Sequence, residues 1–482
     1  MQDAELRGAA PGGGGLGRGV QRAEPMVWLS AAAVVIAIGA LLALLALLAL
    51  RGLGYFWPQP LLFLELRAGQ GAGAELGEVL ARERAPGGAQ RLLLYRGGSS
   101  PQQATRWIAV ADIGARRHPD TALRVDRAEG GPLFGFPQAL LRDGGRLELA
   151  ERSPARTLAL LRAAGAGDGT AQLLLRTASG ESRRLALSAV TQVSAPNAMN
   201  WLQRGVHFGR QLLRFLAESP RRVNADGGVF PAIVGTVLLV LLMSVAVTPL
   251  GILSALFLQE YAGRGVLPRL VRIAVNNLAG VPSIVYGVFG LGFFVYGIGG
   301  SIDWLLFRDT LPAPTLGTPG LLWAALTMAL LTLPVVIVAT EEGLARVPRS
   351  LREGSLALGA TRAETLWRVV LPAASPALLT GLILAVARAT GEVAPLILVG
   401  VAKYAPVLPV SQEFPWLHLD RQFMHLGFHV LDLGFQSPQL QHAAGRVYAT
   451  ALLLVLIVML LNLAAVILRS RLREAFKAQD LL

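Results

Sequence analysis

From residue 27 to residue 50 the chain is an unbroken apolar run, VWLSAAAVVIAIGALLALLALLAL. At about 1.5 Å per residue, a helix of that length crosses a hydrocarbon core of about 30 Å. The run exceeds the roughly 7–15 residues of a signal-peptide core, and no small-x-small cleavage site precedes Arg51, so it reads as an uncleaved anchor. Further long apolar stretches lie at about 230–258, 281–298, 321–340, 374–401 and 447–468. The pattern predicts an all-α polytopic membrane protein with about six transmembrane helices.

Residues 52–225 follow a different pattern. Runs such as LLFLEL, RLLLYR, TRWIAVADI, AQLLLRT and RRLALSAV alternate or cluster at strand length, with Gly, Pro and Asp between them. They predict an inserted α+β domain with its own core, and a helix over about 198–218 leading back to the membrane. Residues 1–26 are Gly-rich, with too few large apolar side chains for a core, and predict a flexible tail. Residues 226–475 then form one membrane domain, and 476–482 a short C-terminal tail.

Composition agrees: 53% of the residues are hydrophobic, above the about 45–50% apolar usage of soluble domains, and the mean hydropathy is +0.51. The formal charge of +13 is nearly all arginine, since lysine occurs only at Lys403 and Lys477. A nucleic-acid binder can carry such a balance. Here the arginines alternate with acids or flank apolar runs, where control of topology accounts for them. Arg264, Arg269 and Arg272 follow the second span. Arg346, Arg349, Arg352, Arg362 and Arg368 follow the fourth, and Arg469, Arg471, Arg473 and Lys477 the last. The opposite short loops hold only Arg308, Lys403 and Arg421. The positive-inside rule puts both termini in the cytoplasm and residues 52–225 outside. The absence of cysteine excludes disulfides, thiolate catalysis and cysteine zinc sites.

The loop of residues 341–372 carries the densest signal. In VPRSLREGSLALGATRAETLWRVVLP, Ser350 with Glu353 and Thr361 with Glu364 each form S/T-x-x-E, a reciprocal cap of a helix start. Gly359 falls between the two helices, where a positive φ is easiest for glycine, and Pro372 is expected to close the second. Leu366, Val369 and Val370 make an apolar side able to enter a partner's groove, while Glu364 and Arg368 have i,i+4 spacing.

These residues resemble the EAA signature of ABC-importer permeases, with Glu353, Gly354 and Ser355 in the first triplet, Gly359 at the glycine, and Val369, Leu371 and Pro372 at the end. The resemblance implies that the loop, including Ala360, Thr361 and Glu364, docks on a separate ATPase. Neither lysine stands in Gly-Lys-Ser/Thr, so the chain has no P-loop; ATP and Mg are expected on the partner, and no cofactor, metal or catalytic residue here. Over about 225–475, the segments GGVFPAIVGT, NNLAGVPSIVYGVFGLGFF, TLPVVIVATEEGLARVP and ARATGEVAPLILVG are similar to the phosphate permeases of that family. The likeness implies a bacterial inner-membrane subunit that works with a second homologous permease, an ATPase dimer and a periplasmic phosphate-binding protein.

Arg388 and Glu392 lie one helical turn apart in the fifth stretch, where a charge costs about 2.5–3.5 kcal/mol and must face protein or water. Arg388 offers a forked donor to an oxyanion with Glu392 as its holder, or the two pin this helix to a partner. Asn276, Asn277 and Ser283 are candidates for neutral donors along the path or for helix packing. Glu341 and Glu342 read as solvated caps. In the loop after the fifth stretch, His418, Asp420, His425, His429 and Asp432 invite a zinc reading, but no HExxH glutamate is present and a surface loop near the substrate-delivering protein is simpler. Rival readings are a permease for sulfate or molybdate and a non-transporting sensor or scaffold; a secondary transporter leaves the cytoplasmic loop unexplained.

Overall fold

The structure is a computed structural model that describes residues 16–67, 73–85, 88–98, 104–128, 130–142, 145–165, 170–220, 227–263, 265–310, 312–405, 407–436 and 440–479. The first part of the expected 1–26 tail and the last three residues of the 476–482 tail lie outside these. Among the described residues, six helices are long and apolar enough to cross a membrane: Met26–Gly54, Phe230–Tyr261, Ser283–Leu306, Leu321–Ala345, Arg362–Gly391 and Ala443–Arg471.

Helix α1 (Leu16–Gly54) is the first described element and starts ten residues before the window that is apolar enough to span, so residues 16–26, expected as part of a flexible tail, are helical. After it come two antiparallel sheets. The first joins β1 (Leu61–Leu66), β2 (Ala74–Arg84), β3 (Gln90–Tyr95), β4 (Thr105–Ala109) and β5 (Ile113–Arg117) in the order β4-β3-β2-β1-β5. The second is built from β6 (Leu123–Arg127), β7 (Leu133–Arg142), β8 (Gly145–Glu148), β9 (Gln172–Arg176), β10 (Ser182–Ala186) and β11 (Val190–Ser194), in the order β10-β9-β7-β6-β11 with β8 on β7. Helix α2 (Pro154–Gly165) buries Leu161 and Ala164 in the core of the second sheet. The inserted unit is thus β-rich, and runs such as LLFLEL and RLLLYR became strands covered on both faces: Leu92, Leu93 and Leu94 are all buried, and successive side chains of β1 enter two different apolar clusters.

A buried charge cluster ties the sheets together. Glu78 of β2 has a 5% exposed side chain and receives Arg124 of β6 at 2.7 Å, while Arg124 Nε reaches Asp126 at 2.9 Å. Burial pushes the Glu78 carboxyl up, and the Arg124 charge opposes that shift. Asn197 fastens the end of the unit to its start: its side chain accepts from Leu61 N at 2.8 Å and donates to Leu61 O and Pro119 O. Helix α3 (Trp201–Ala217) then leads to the membrane helices, and Gln203 closes its first turn by accepting from Asn200 N.

The membrane part begins with α4 (Phe230–Leu256), which runs into a π-turn at Phe257–Tyr261. The short helix α5 (Val266–Leu278) precedes α6 (Ser283–Phe289), a π-segment and α7 (Gly300–Leu306). Next come α8 (Leu321–Ala345), α9 (Arg349–Ala357) and α10 (Arg362–Thr365), which continues through a π-turn at Leu366–Val370 into α11 (Leu371–Gly391). The chain ends with α12 (Ala394–Val399), α13 (Leu426–Leu431) and α14 (Leu440–Gln479). The central core packs α4, α8, α11 and α12 through Leu239, Met243, Val247, Met328, Val336, Ala385 and Leu396.

Small residues set these approaches. A Cβ on Gly343 would meet Ala377 Cβ at 2.5 Å, and one on Gly381 would meet Ala339 Cβ at 2.7 Å, so α8 and α11 run antiparallel in close contact. Replacing Arg124 with leucine leaves Glu78 buried without its partner. The expected result is a β unit weaker by about 2–4 kcal/mol, because an orphaned buried charge costs more than the pair contributed. Amide exchange should quicken in β2 and β6 while the membrane helices keep wild-type protection; unchanged exchange in both strands contradicts this.

Candidate functional site

Two helix breaks meet in the membrane part. The fifth apolar stretch was expected as one span over 374–401. Instead, the helix begins at Arg362 and stops at Gly391, and Glu392 is extended with φ −86° and ψ 129°. The reason is local: Pro395 has no amide to donate and stands in the first turn of α12, where that amide is not needed. Arg388 is therefore in the last turn of α11 and Glu392 just past it, with Nε and Oε1 3.9 Å apart. Their side chains are 34% and 26% exposed, so both stay open to one side of the isolated chain.

The second break separates α5 from α6 at residues 279–282. Asn276 and Asn277 end α5 and are exposed, Gly280 N donates to Asn277 O at 3.0 Å, and Ser283 starts α6, half-buried. The asparagines thus end a separate amphipathic helix instead of entering the third span, because Pro282 interrupts the run. Tyr286, which the sequence analysis did not single out, is buried and donates its hydroxyl to Leu278 O at 2.6 Å, satisfying a carbonyl the break would leave open.

Helix α12 brings the breaks together. A Cβ on Gly287 would lie 2.7 Å from Pro395 Cα, and one on Gly290 would lie 2.2 Å from Thr327 Oγ1. Only glycine at these positions lets α6 approach that closely. The sequence-predicted set Arg388, Glu392 and Ser283 thus collects around two interrupted helices, with Asn276 and Asn277 on the edge. Half-helices ending at a cavity are a recurrent way to present polar groups to a solute inside a bilayer.

At the other end of α8 and α11 the loop of residues 341–372 differs in part from expectation. Thr361 caps α10 as the sequence requires: Thr361 N donates to Glu364 Oε2 at 2.9 Å and Glu364 N to Thr361 Oγ1 at 3.3 Å. Gly359 adopts φ +89°, and Ala360 lies between it and the Thr361 cap, outside both helices. Glu364 turns to Thr361 and makes no ion pair with Arg368 among the described residues. The other expected box fails. Pro348 is the cap of α9, so Ser350 is already inside the helix and its hydroxyl does not cap Glu353; the pre-set φ of proline starts the helix two residues earlier.

Pro372 does not close the second helix either. The ladder widens to π spacing over Leu366–Val370 and continues into α11, which absorbs the missing proline amide. Leu366 and Val370 are buried in the protein's own core with Leu256 and Leu371, so that side is not free for a partner. The exposed surface is made instead by Glu353 and Gly354 beside Leu351, Leu356, Leu358 and Trp367, of which Leu358 is 91% exposed. Ser355 joins the two helices through its hydroxyl contact with Thr365 at 2.9 Å.

Several polar links hold this end. Arg352 of α9 pairs with Glu260 at 3.0 Å and donates to Leu344 O at 2.7 Å. Arg272 of α5 pairs with Glu341 at 3.3 Å and donates to Leu258 O at 2.9 Å. Glu341, read above as a solvated cap, is thus a partner with a 20% exposed side chain, whereas Glu342 is 64% exposed.

The loop between α12 and α14 is surface in part, as expected, with Phe414 82% and Trp416 66% exposed, but from Phe423 on it folds inward. Phe423 and His425 are fully buried, and Leu426 N donates to Thr236 Oγ1 at 3.0 Å. His425 Nδ1 accepts from Gly427 N and caps α13. Among the described residues no cluster of three or more His, Cys, Asp or Glu has metal-binding geometry; Asp432 pairs with Lys403 at 2.6 Å.

Among the described residues, six candidate spans, two interrupted helices and an exposed hairpin define a polytopic membrane protein. Residues 247–474 match the family described as "Binding-protein-dependent transport system inner membrane component". The "Phosphate transport system permease protein PstA 1" of Mycobacterium tuberculosis is 35% identical over 245 residues, covering 50% of this chain and 71% of that protein. The PstA of Yersinia pestis is 31% identical over 257 residues, covering 53% and 77%. A solved MetNI methionine ABC transporter aligns over 51% of this chain and 94% of its own with 20% identity and a TM-score of 0.36. The chain belongs to this family of inner-membrane permease components and is a homologue of the PstA phosphate permeases.

The two loop histidines generate a pH prediction. Burial lowers the His425 imidazole to about 4, and burial with the Arg446 and Lys403 charges lowers His429 to about 3. Unfolded imidazoles titrate near about 6.5, so below that pH the unfolded loop takes up protons the folded loop refuses, and stability falls with pH. The loss spans pH 6.5 down to about 4 for His425 and to about 3 for His429. Melting in detergent should show a larger drop between pH 7.5 and 5 for the wild type than for His429→Gln; equal drops contradict the assignment.

Proposed function

We propose that this chain is the phosphate-translocating permease subunit of an ATP-driven importer. The observation that carries the reading is the Arg388–Glu392 pair at a helix break facing the α5–α6 break, in a homologue of PstA permeases. A guanidinium presents its donors in a planar fork that matches an oxyanion. Glu392 neutralises it before the anion arrives and releases it when the anion binds, since the 3.9 Å separation is loose enough to open. Ser283, Asn276 and Asn277 add neutral donors, which let a solute leave again.

The hairpin of α9 and α10 is the coupling element. Its exposed apolar side chains Leu358 and Trp367 and the acid at Glu353 fit the groove of a PstB-like ATPase dimer, which carries ATP and Mg. A PstC-like permease completes the pathway on the open side of Arg388, and a PstS-like periplasmic protein delivers phosphate. In this topology both termini and the hairpin are cytoplasmic and the β-rich unit is periplasmic, as the arginine distribution requires. Nucleotide-driven closure of the ATPases moves the hairpin and switches the pathway between outward and inward access.

Arg388→Ala in the assembled importer is expected to cut phosphate uptake by about a hundredfold, the scale of a lost charge-assisted contact, and Arg388→Lys by less. Uptake of labelled phosphate in vesicles, with sulfate and molybdate as competitors, checks both the role and the cargo. Wild-type uptake by Arg388→Ala, or equal competition by sulfate, would sink this reading. Glu353→Lys is expected to leave the complex assembled but to lower ATP turnover stimulated by the loaded binding protein. Gly359→Val forces a β-branched residue to φ +89° and is expected to do the same.

A further inference from the structure

The coupling reading leaves a gap between the hairpin and the helix breaks, and two arginines span it. Arg352 of α9 reaches the π-turn after α4 through Glu260 and the end of α8 through Leu344 O. Arg272 of α5 reaches the same π-turn through Leu258 O and the same end of α8 through Glu341. Each arginine makes one ion pair and one bond to a backbone carbonyl, in mirrored order. Together they close a polar ring through α9, the π-turn, α8 and α5.

The ring is tighter at Arg352 than at Arg272, whose side chain is 47% exposed and whose pair with Glu341 is longer. The Arg352 and Glu260 side chains are only 24% and 17% exposed, so the pair is poorly screened by water. The carbonyls they use stand at helix ends, where the regular ladder leaves acceptors open. The π-turn itself widens the backbone at Phe257–Tyr261, the five residues that contain both Leu258 and Glu260. Around the ring, Leu256, Leu258, Leu344, Val347, Leu366 and Val370 are buried together, so the polar contacts rest on a packed apolar floor.

We infer that Arg272 and Arg352 form a paired clamp that fixes α5 and the coupling helix α9 to the same two span ends, so that displacement of α9 is carried through α5 to the helix break beside Arg388. The inference rests on the proposed coupling role of the hairpin. Asn276 is one helical turn beyond Arg272, and α5 ends two residues later at the break. A rotation of α5 at Arg272 therefore moves the asparagines and the Tyr286–Leu278 contact without any change in α11. The sequence alone assigns these arginines to topology. The clamp gives both a second, positioning role that lysine fills less well, because its three donors sit on one compact ammonium and not on a planar fork that reaches two separated acceptors in fixed directions.

The test uses the complete importer in vesicles and reads phosphate carried per ATP hydrolysed. Arg272→Gln and Arg352→Gln should each lower that ratio by about tenfold, and the double variant should be no worse than the poorer single one, since both act through one unit. Arg272→Lys and Arg352→Lys should fall between the glutamine variants and wild type, which also serves where a glutamine variant fails to assemble. Wild-type ratios in the lysine variants, or losses that multiply in the double variant, overturn the clamp. If Glu353→Lys and Gly359→Val uncouple transport while the arginine variants do not, the clamp alone is wrong. If none of them uncouples transport, the coupling reading fails first.

Discussion

Backbone amides and carbonyls inside a bilayer have no water to turn to, and this constraint governs the permease unit. Uninterrupted helices satisfy it without help. The breaks at residues 279–282 and 392–393 do not, so their open groups need other partners: Gly280 N turns back to Asn277 O and Val281 N to Leu278 O. Tyr286 answers the Leu278 carbonyl, Gly287 and Gly290 let α12 and α8 press onto the third span, and α13 closes over Val393 through Gly427. The pair at Arg388 and Glu392 sits beside this packing with both side chains partly open, 34% and 26% exposed.

The same economy appears at the opposite end. There the span ends leave carbonyls at Leu258 and Leu344, and arginines from two neighbouring helices fill them while pairing with Glu260 and Glu341. The chain thus uses charge at two levels of the membrane unit: loosely at the helix break, where the 3.9 Å pair can open, and tightly at the hairpin, where fork and carbonyl hold. The β-rich unit obeys a third variant, with Glu78 buried between its sheets and held by Arg124.

The hairpin illustrates how local and tertiary preferences compete. Thr361 and Glu364 cap as their spacing dictates, because all the atoms involved lie within one turn. Ser350 and Glu353 have the same spacing and do not cap, because Pro348 had already fixed the helix start. Pro372 looks like a terminator, yet burial of Val370, Leu371 and Ala374 against α4 and α8 favours continuing the helix, and a π-turn accommodates the ring. The apolar side expected to meet a partner is consumed by that packing, and Leu358 and Trp367 take its place on the surface.

The sequence by itself determined the six spans, the strands β1, β3, β4, β9 and β10 of the inserted unit, the glycine at 359 and the family signature. Each of these depends on hydrophobic period, turn chemistry or contacts within a few residues, all of which are properties of a short stretch of chain. Only the tertiary structure decided that the fifth stretch breaks at Glu392, that His425 and His429 are buried, and that Arg272 and Arg352 grip the same two helix ends. Those outcomes turn on which distant surfaces compete for the same side chain, and a linear pattern carries no record of that competition.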